Sequence, residues 1–213
     1  MLPTPDLTGR SALVTGASRG IGLAIATELA RRGASAVITG RKPEPLHQAA
    51  ESIRNAVDGA KVDICPGNTG DATHRADAVA TAVQLGGGID ILVNNTGINP
   101  TYGPLVDADL DAVRKIFDTN VVAALGFVQE AYRAGMADSG GAVLNIASVA
   151  GIRSTGVIAA YGASKAAGET AARRYPVCRF RIFPSALVVL RASWRAGCRQ
   201  SPVPRTPRNS KIS

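Results

Sequence analysis

A tyrosine and a lysine stand four residues apart in the run Tyr161-Gly-Ala-Ser-Lys165. Residues at i and i+4 share one face of a helix, so a phenol and an ammonium would be neighbours there. A free tyrosine has a pKa of about 10 and is a weak acid at neutral pH, whereas a nearby cation favours the phenolate. The pair therefore predicts proton transfer, with Tyr161 as the acid or base and Lys165 assisting it.

Other polar residues follow strand-like runs of the sequence. Ser148 comes directly after an apolar run, and Asn94-Asn95-Thr96-Gly97 ends the apolar run before it. Asn120 lies in the long helical segment that connects these two runs. The carboxyl ends of parallel strands meet at one edge of a sheet, where such sheets bind ligands. We therefore expect these residues near Tyr161, with the Ser148 hydroxyl donating to a substrate carbonyl oxygen.

A glycine-rich turn, Thr15-Gly-Ala-Ser-Arg-Gly-Ile-Gly22, separates the first strand-like run from the first helical one. Glycine there permits a positive φ, a close approach of backbone to a pyrophosphate, and tight packing of helix on strand. The following helix N-terminus offers N–H groups and a positive dipole end to phosphates. The turn predicts a dinucleotide site, whose candidate residues are Gly16, Ser18, Arg19, Gly20, Ile21 and Gly22.

The residues after the second strand-like run indicate which coenzyme is bound. An acidic residue there would bond the adenosine ribose hydroxyls and repel a 2′-phosphate. This chain has Thr39-Gly40-Arg41-Lys42 instead, with no acid. Guanidinium groups pair well with phosphate, and both Arg41 and Arg19 are candidates for that contact. The pattern favours NADP(H) over NAD(H), the alternative being that both arginines are simply solvated.

Strand-like and helix-like segments alternate through the first 170 residues. The strands are expected over 11–15, 36–39, 61–65, 89–93 and 142–147, and the helices over 20–32, 44–57, 72–85, 108–135 and from about Tyr161. Strands that are apolar throughout and separated by helices predict a parallel sheet covered on both faces. The expected fold class is α/β, a doubly wound Rossmann-type sheet.

Together these motifs give the chain a clear resemblance. From about Leu7 to Ala167 it resembles the single-domain short-chain dehydrogenase/reductase family, and it is similar to 3-oxoacyl-(acyl-carrier-protein) reductases. The resemblance implies that Tyr161 is the general acid in reduction and Lys165 holds the nicotinamide ribose. It implies that Ser148 orients the carbonyl and that Asn120 holds a water of a proton relay.

The resemblance also implies coenzyme contacts away from the glycine-rich turn. Asp63, expected at the end of the third strand, falls where the family contacts the adenine. Asn94 would lie beside the adenosine ribose, and Gly97 belongs to the same motif. The two histidines, His47 and His74, lie on polar helical stretches and are expected to be solvated.

Composition separates a nearly neutral body from a basic tail. The chain has 213 residues, of which 46% are hydrophobic and 19% charged, which suits one packed α/β domain. Residues 171–213 carry nine arginines and Lys211 but no acid, a charge of +10, while residues 1–170 carry −2, which gives the net charge of +8. We therefore expect a domain over 1–170 and an irregular tail over 171–213.

The tail departs from the family, which continues with two more strands and a Pro-Gly turn. We favour an out-of-frame translation or a truncated paralogue; the alternatives are a basic arm for nucleic acid, which we favour least, and a degenerate substrate lid. Ala186-Leu-Val-Val-Leu190 is the one further strand-like run. Without the last strands, the fifth strand would be the bare edge of the sheet.

The expected function is NADP(H)-dependent interconversion of a carbonyl and a secondary alcohol, the alternative being a remnant that binds nucleotide or a partner without catalysis. Family members pair two long helices in dimers, but Gly168 and Pro176 would shorten the Tyr161 helix, which puts that assembly in doubt. Three cysteines with no CxxC spacing and no apolar run of membrane-spanning length favour a cytoplasmic location, without a metal or a membrane partner.

Overall fold

A six-stranded parallel sheet forms the centre of the protein, in a computed structural model that describes residues 6–153, 156–172 and 180–184. Its strands are β1 (Ser11–Val14), β2 (Ser35–Gly40), β3 (Val62–Pro66), β4 (Ile91–Asn94), β5 (Gly141–Asn145) and β6 (Phe180–Pro184). Their order across the sheet is β3-β2-β1-β4-β5-β6. The strand order reverses between β1 and β4, so the predicted doubly wound α/β fold is confirmed.

Helices cover both faces of this sheet. They are α1 (Gly20–Arg31), α2 (Pro43–Ala56), α3 (Ala72–Gly86), α4 (Leu110–Phe117), α5 (Ala123–Ala131), the short α6 (Ala137–Ser139) and α7 (Ala159–Ala172). One apolar core lies between the sheet and helices α1 and α2, and a second lies between the sheet and helices α3 and α5. Successive side chains of a strand point to opposite faces, so Leu13 joins one core and Val14 the other.

The long helix expected over 108–135 is interrupted twice. A π turn, Asp118–Val122, separates α4 from α5, and a second one, Tyr132–Met136, follows α5. Within the second turn Gly135 has a φ of +124°, which ends the regular helix before α6. The prediction of one continuous helix was therefore wrong, because apolar periodicity does not report a locally widened turn.

The fifth strand is not the edge of the sheet. The backbone of β6 pairs in parallel with β5, from Gly141 opposite Phe180 to Asn145 opposite Pro184. The expectation of a bare edge at the fifth strand was therefore wrong. The run Ala186–Leu190 lies outside the described residues.

Helix α7 is longer than expected. It begins at Ala159, two residues before Tyr161, and continues through Gly168 to Ala172. The expectation that Gly168 shortens this helix was wrong, since an isolated glycine lowers helix stability by only about 1 kcal/mol. The division of the chain at residue 170 stays a prediction.

Candidate active site

The glycine-rich turn joins β1 to α1 at the carboxyl edge of the sheet. Gly16 has a φ of +64°, in the left-handed region that favours glycine. At Gly22 a Cβ atom would lie 2.5 Å from Nδ2 of Asn95 and 2.8 Å from the carbonyl oxygen of Gly16. Only glycine fits there without displacing its neighbours, so the turn stays close to the sheet.

The turn after β1 is bonded to the turn after β4. Nδ2 of Asn95 donates to the carbonyl oxygens of Thr15 and Gly16, both at 2.9 Å. The Thr15 hydroxyl oxygen accepts from the backbone N–H groups of Asn95 and Thr96, at 3.0 and 3.1 Å. Asn95 therefore shapes the glycine-rich turn, a role the sequence analysis missed although this residue lies between the candidates Asn94 and Gly97.

The first turn of α1 has the properties of an anion site. Arg19 is the N-cap residue and provides no side-chain cap, and the first turn contains no acid. The first N–H groups of the helix therefore keep their hydrogen-bonding capacity, and the dipole makes this end positive. Arg19, Gly20 and Ile21 are exposed, and Ser18 is partly exposed.

The residues that follow β2 add positive charge near the same edge. Arg41 and Lys42 are both exposed. The Thr39 carbonyl, two residues before Arg41, accepts from the backbone N–H of Ala17 at 2.9 Å. The segment that carries Arg41 therefore adjoins the glycine-rich turn.

Tyr161 and Lys165 lie one turn apart on α7. Lys165 is buried, and its Nζ lies 5.7 Å from the centre of the Tyr161 ring. Nζ donates a 2.7 Å hydrogen bond to the carbonyl oxygen of Ile146, the residue that follows β5. Burial lowers the pKa of the Lys165 ammonium, and the Glu169 carboxylate opposes that change.

Ser148 begins a short turn that packs on the helix carrying Tyr161. It caps the 3₁₀ turn Val149–Gly151, with its hydroxyl oxygen accepting from the Ala150 N–H at 3.2 Å. A Cβ atom on Gly162 would lie 2.5 Å from the carbonyl oxygen of Ala150. The turn after Ser148 therefore packs directly on α7, next to Tyr161.

Asn120 connects α7 to the segment after β4. Nδ2 donates to the carbonyl oxygen of Ile98 at 3.0 Å and to the Ser164 hydroxyl at 3.0 Å, and Oδ1 accepts from the Ile98 N–H at 2.8 Å. Gly97 lies beside this group: a Cβ atom there would be 3.3 Å from Nζ of Lys165 and 3.5 Å from Oδ1 of Asn120. The structure thus brings Gly97, Asn120 and Lys165 together.

Asn94 and Asp63 were expected to contact the coenzyme, and the structure shows how each is oriented or placed in its strand. Asn94 is buried, and its Nδ2 donates to the carbonyl oxygen of Ala124 and to Oδ1 of Asn145 rather than facing the open edge. Asp63 is the second residue of β3, so the expectation that it ends this strand was wrong. The strand continues to Pro66 because pairing with β2 extends to Gly40.

The carboxyl edge next to β3 carries Asn68 instead. The backbone N–H of Gly67 donates to the carbonyl oxygen of Gly40 at 2.9 Å, and Asn68 is exposed one residue later. Asn68 was not among the predicted residues. The run Gly67-Asn68-Thr69-Gly70 is a turn signal that could have located the end of the strand.

The two histidines differ in their surroundings. His47 is exposed, as expected, whereas the expectation of a solvated His74 was wrong. The His74 ring packs edge-on against Phe127, with centres 6.2 Å apart, and Nδ1 lies 3.7 Å from the Cys65 sulfur. Burial lowers the pKa of His74; the Asp71 and Asp77 carboxylates oppose that change, and Arg75 adds to it.

The described residues contain neither a membrane-spanning helix nor a cluster of metal-ligating side chains. Among them, no helix is both long and apolar enough to cross a membrane. In the same part of the chain, no three side chains of His, Cys, Asp or Glu are grouped so that they would hold a metal ion.

Comparison with known proteins agrees with this geometry. The profile of a family described as short chain dehydrogenase matches residues 10–175. The chain is 37% identical over 161 residues, 76% of its length, to a rabbit (Oryctolagus cuniculus) protein named dehydrogenase/reductase SDR family member 4. It is 34% identical over 160 residues, 75% of its length, to a ketoacyl reductase of Nostoc sp..

A solved structure is similar over the same region. A short chain dehydrogenase from Burkholderia cenocepacia, in complex with NADP, superposes with a TM-score of 0.71 and 34% sequence identity. The match covers 79% of this chain and 68% of that one. The chain spans 61% of the length of the rabbit protein and 55% of the length of the Nostoc protein.

Proposed function

Because the chain belongs to the short-chain dehydrogenase/reductase family, we propose that it interconverts a carbonyl compound and a secondary alcohol with NADP(H). One observation carries this proposal: α7 holds Tyr161 and Lys165 against the turn that follows Ser148. A proton donor, a cation and a hydroxyl thus lie at the sheet edge where the glycine-rich turn also ends. The remaining residues are assigned below from their contacts.

The glycine-rich turn suits the coenzyme's pyrophosphate. The backbone at Gly16 and Gly22 leaves no side chain between a ligand and the first N–H groups of α1. We assign Ser18, Arg19, Gly20 and Ile21 to the phosphate site because they form the start of this helix. When bound, the coenzyme supplies the hydride.

A preference for NADP(H) is supported by charge. Arg19 and Arg41 are exposed on two segments that the Ala17–Thr39 hydrogen bond holds together. No acidic residue occurs between Thr39 and Lys42, so nothing in that segment repels a 2′-phosphate. The Burkholderia structure, which contains NADP, belongs to a protein 34% identical to this one. We assign both arginines to the 2′-phosphate.

The proton chemistry is assigned to α7. Tyr161 donates the phenolic proton to the carbonyl oxygen in reduction and takes it back in oxidation. The hydrogen bond from Nζ of Lys165 to the Ile146 carbonyl fixes the ammonium beside the Tyr161 ring. The Ser148 hydroxyl donates a second hydrogen bond to the same oxygen and so stabilises the charge that develops there.

Asn120 is assigned to positioning and to the proton relay. Both amide hydrogens and one lone pair of Oδ1 are already used by Ile98 and Ser164. A relay water would therefore bond to the remaining lone pair of Oδ1 or to the backbone carbonyl oxygen of Asn120. Gly97 keeps the space beside Lys165 open to the coenzyme ribose.

A 3-oxoacyl thioester is the substrate we infer, supported by the similarity to the Nostoc ketoacyl reductase. Assembly into a homo-oligomer is supported by Val122 and Leu125, which are exposed on α5 and the turn that precedes it. A cytoplasmic location stays a prediction. No nucleic-acid or membrane partner enters this proposal.

The second candidate is a protein that binds the coenzyme without turnover. The family profile ends at residue 175, and the curated relatives cited above are longer than this chain. Substrate capture needs precise positioning, and a displacement of about 1 Å can cost a hundredfold in rate. The phosphate contacts assigned above, by contrast, need only β1, β2, α1 and the turns that follow the two strands.

One experiment separates these candidates. The full chain is assayed for NADPH oxidation with a short 3-oxoacyl thioester, and the dissociation constant of NADPH is measured by fluorescence. We expect Tyr161→Phe to lower kcat by about 10²–10⁴-fold, with NADPH binding kept. Tyr132→Phe, on a remote turn, provides the control. Binding without turnover in the wild-type protein supports the second candidate, and turnover that survives Tyr161→Phe overturns the assignment of the acid.

A further inference from the structure

A small cavity with both polar and apolar walls lies beside the turns that follow β1 and β4. It is lined by Thr15, Thr69, Asn94, Thr96, Thr119, Ala123, Ala124 and Phe127. Its volume, taken as the space open to the centre of a water molecule, is about 10 Å³. One water needs roughly 10–15 Å³ on this measure, so the cavity has room for one and not for a larger molecule.

One wall of the cavity is the Asn94 side chain, which is 94% buried. Its Nδ2 bonds to two acceptors, the carbonyl oxygen of Ala124 and Oδ1 of Asn145, so the orientation of the amide is fixed by its partners. Oδ1 of Asn94 is buried and has no hydrogen-bond partner among the described residues. A buried carbonyl oxygen in that position costs free energy unless a donor reaches it.

The Thr96 hydroxyl, like Oδ1 of Asn94, is a buried polar group without a hydrogen-bond partner among the described residues. The backbone N–H of Thr96 bonds to Thr15, but Oγ1 of Thr96 is buried without a partner in the described part of the chain. The Thr15 hydroxyl oxygen accepts from two N–H groups, which uses both lone pairs and leaves its hydrogen to donate. Two oxygens of the cavity wall thus lack a partner within the described part of the chain, and the Thr15 hydroxyl hydrogen is a further donor on the same wall.

We propose that this cavity binds one ordered water molecule, which bridges Oδ1 of Asn94 and Oγ1 of Thr96. The water donates to Asn94, exchanges a hydrogen bond with Thr96 and accepts from the Thr15 hydroxyl. Three partners are typical of a buried water. The water completes the hydrogen bonding between the ends of β1 and β4, beside the glycine-rich turn.

A crystal structure of the full chain tests this site directly and needs no coenzyme. The expected result is a density peak within about 3.2 Å of both oxygens. Ordered side chains with no peak between them overturn the proposal, as does a Thr96 hydroxyl bonded to a protein atom. Neither result depends on whether the protein is an active reductase.

Substitutions at Thr96 test the water in solution. Thr96→Val keeps the shape but removes the hydroxyl, and we expect a Tm about 3–6 °C lower. Thr96→Ser keeps the hydroxyl and should retain most of the wild-type Tm. Thr27→Val is the matched control, because the Thr27 hydroxyl bonds only within its own helix, to the Leu23 carbonyl. Equal Tm values for Thr96→Val and Thr27→Val overturn the proposal.

Discussion

Nζ of Lys165 lies 2.7 Å from the carbonyl oxygen of Ile146, and this bond anchors α7 to the carboxyl end of β5. The same lysine supplies the cation beside Tyr161. Because burial of the ammonium lowers its pKa, keeping this group charged costs free energy that the hydrogen bond partly offsets. The buried ammonium of Lys165 therefore contributes little to the stability of the fold, and its proposed role is in catalysis.

Lys165→Met should therefore separate activity from stability. The methionine side chain fills a similar volume, removes the buried charge and leaves the Ile146 carbonyl without this donor. We expect kcat to fall about 100-fold or more, while the free energy of unfolding changes by less than about 1 kcal/mol. Turnover and urea unfolding measure the two effects. The exposed Lys61 provides Lys61→Met as the control, and unchanged turnover in Lys165→Met would contradict the assigned role.

Gly22→Ala should damage the coenzyme site through sterics alone. The new Cβ would lie 2.5 Å from Nδ2 of Asn95, so Asn95 or the glycine-rich turn must move. Overpacking of this kind costs about 1–3 kcal/mol, and we expect NADPH to bind about tenfold more weakly or worse. Gly88→Ala is the control, since a Cβ atom there meets nothing within 4 Å. If the Gly22→Ala protein had the Tm and the NADPH dissociation constant of the wild type, the glycine-rich turn would accommodate the added Cβ atom, contrary to this prediction.

Arg41→Ala tests the coenzyme preference. A charge-assisted hydrogen bond contributes about 1.5–3 kcal/mol, so we expect the dissociation constant of NADPH to rise about tenfold or more. NADH lacks the 2′-phosphate, and its binding should stay within about threefold of wild type. Arg31→Ala, on the exposed side of α1, controls for loss of surface charge. If the binding of NADPH and of NADH weakened equally, Arg41 would support the folded structure and would not contact the 2′-phosphate.

His74 should make the protein less stable in mild acid. Its pKa in the folded state is below the ordinary value of 6.5, so the unfolded chain takes up a proton more readily as the pH falls below about 6.5. The free energy of unfolding should therefore decrease from pH 7.5 to pH 5.5, which urea unfolding at several pH values measures. The carboxylates with lowered pKa values, such as Glu28, act at lower pH.

His74→Gln should flatten that dependence on pH, even where the substitution lowers stability at every pH. His47→Gln is the control, because the side chain of His47 is exposed on α2 in the folded protein. We expect the slope of stability against pH to persist in His47→Gln and to weaken in His74→Gln. An unchanged slope in His74→Gln would assign the acid sensitivity to other groups.

Local pattern was sufficient to predict the first five strands and the glycine-rich turn. Strands β1, β2, β4 and β5 are largely apolar runs, as burial on both faces of the sheet requires, whereas the outer strand β3 contains the exposed Asp63. That Tyr161 and Lys165 lie close to each other also followed from their spacing of four residues on α7. The anchoring bond of Lys165 to Ile146 did not, because it joins a helix to a strand end nineteen residues earlier in the chain.

The wrong expectations have specific causes. His74 was judged from its polar neighbours in sequence, yet it shares one helix face with the buried residues Ala78 and Ala82. Asp63 was placed at a strand end by the family resemblance, whereas β3 continues three residues further, to Pro66. Strand β6 forms by pairing with β5, a long-range contact that the basic composition of residues 171–213 does not indicate.

The π turn at Asp118–Val122 gives the chain one point where its length can change at little cost. A turn closed by an i→i+5 bond holds one residue more than an α-turn. Deleting one residue from the turn would therefore restore a regular α-turn and leave α4 and α5 in phase, whereas a deletion within either helix would rotate its two parts by about 100°. The extra residue lies where Asn120 bonds to Ser164, so the widened backbone coincides with the candidate site.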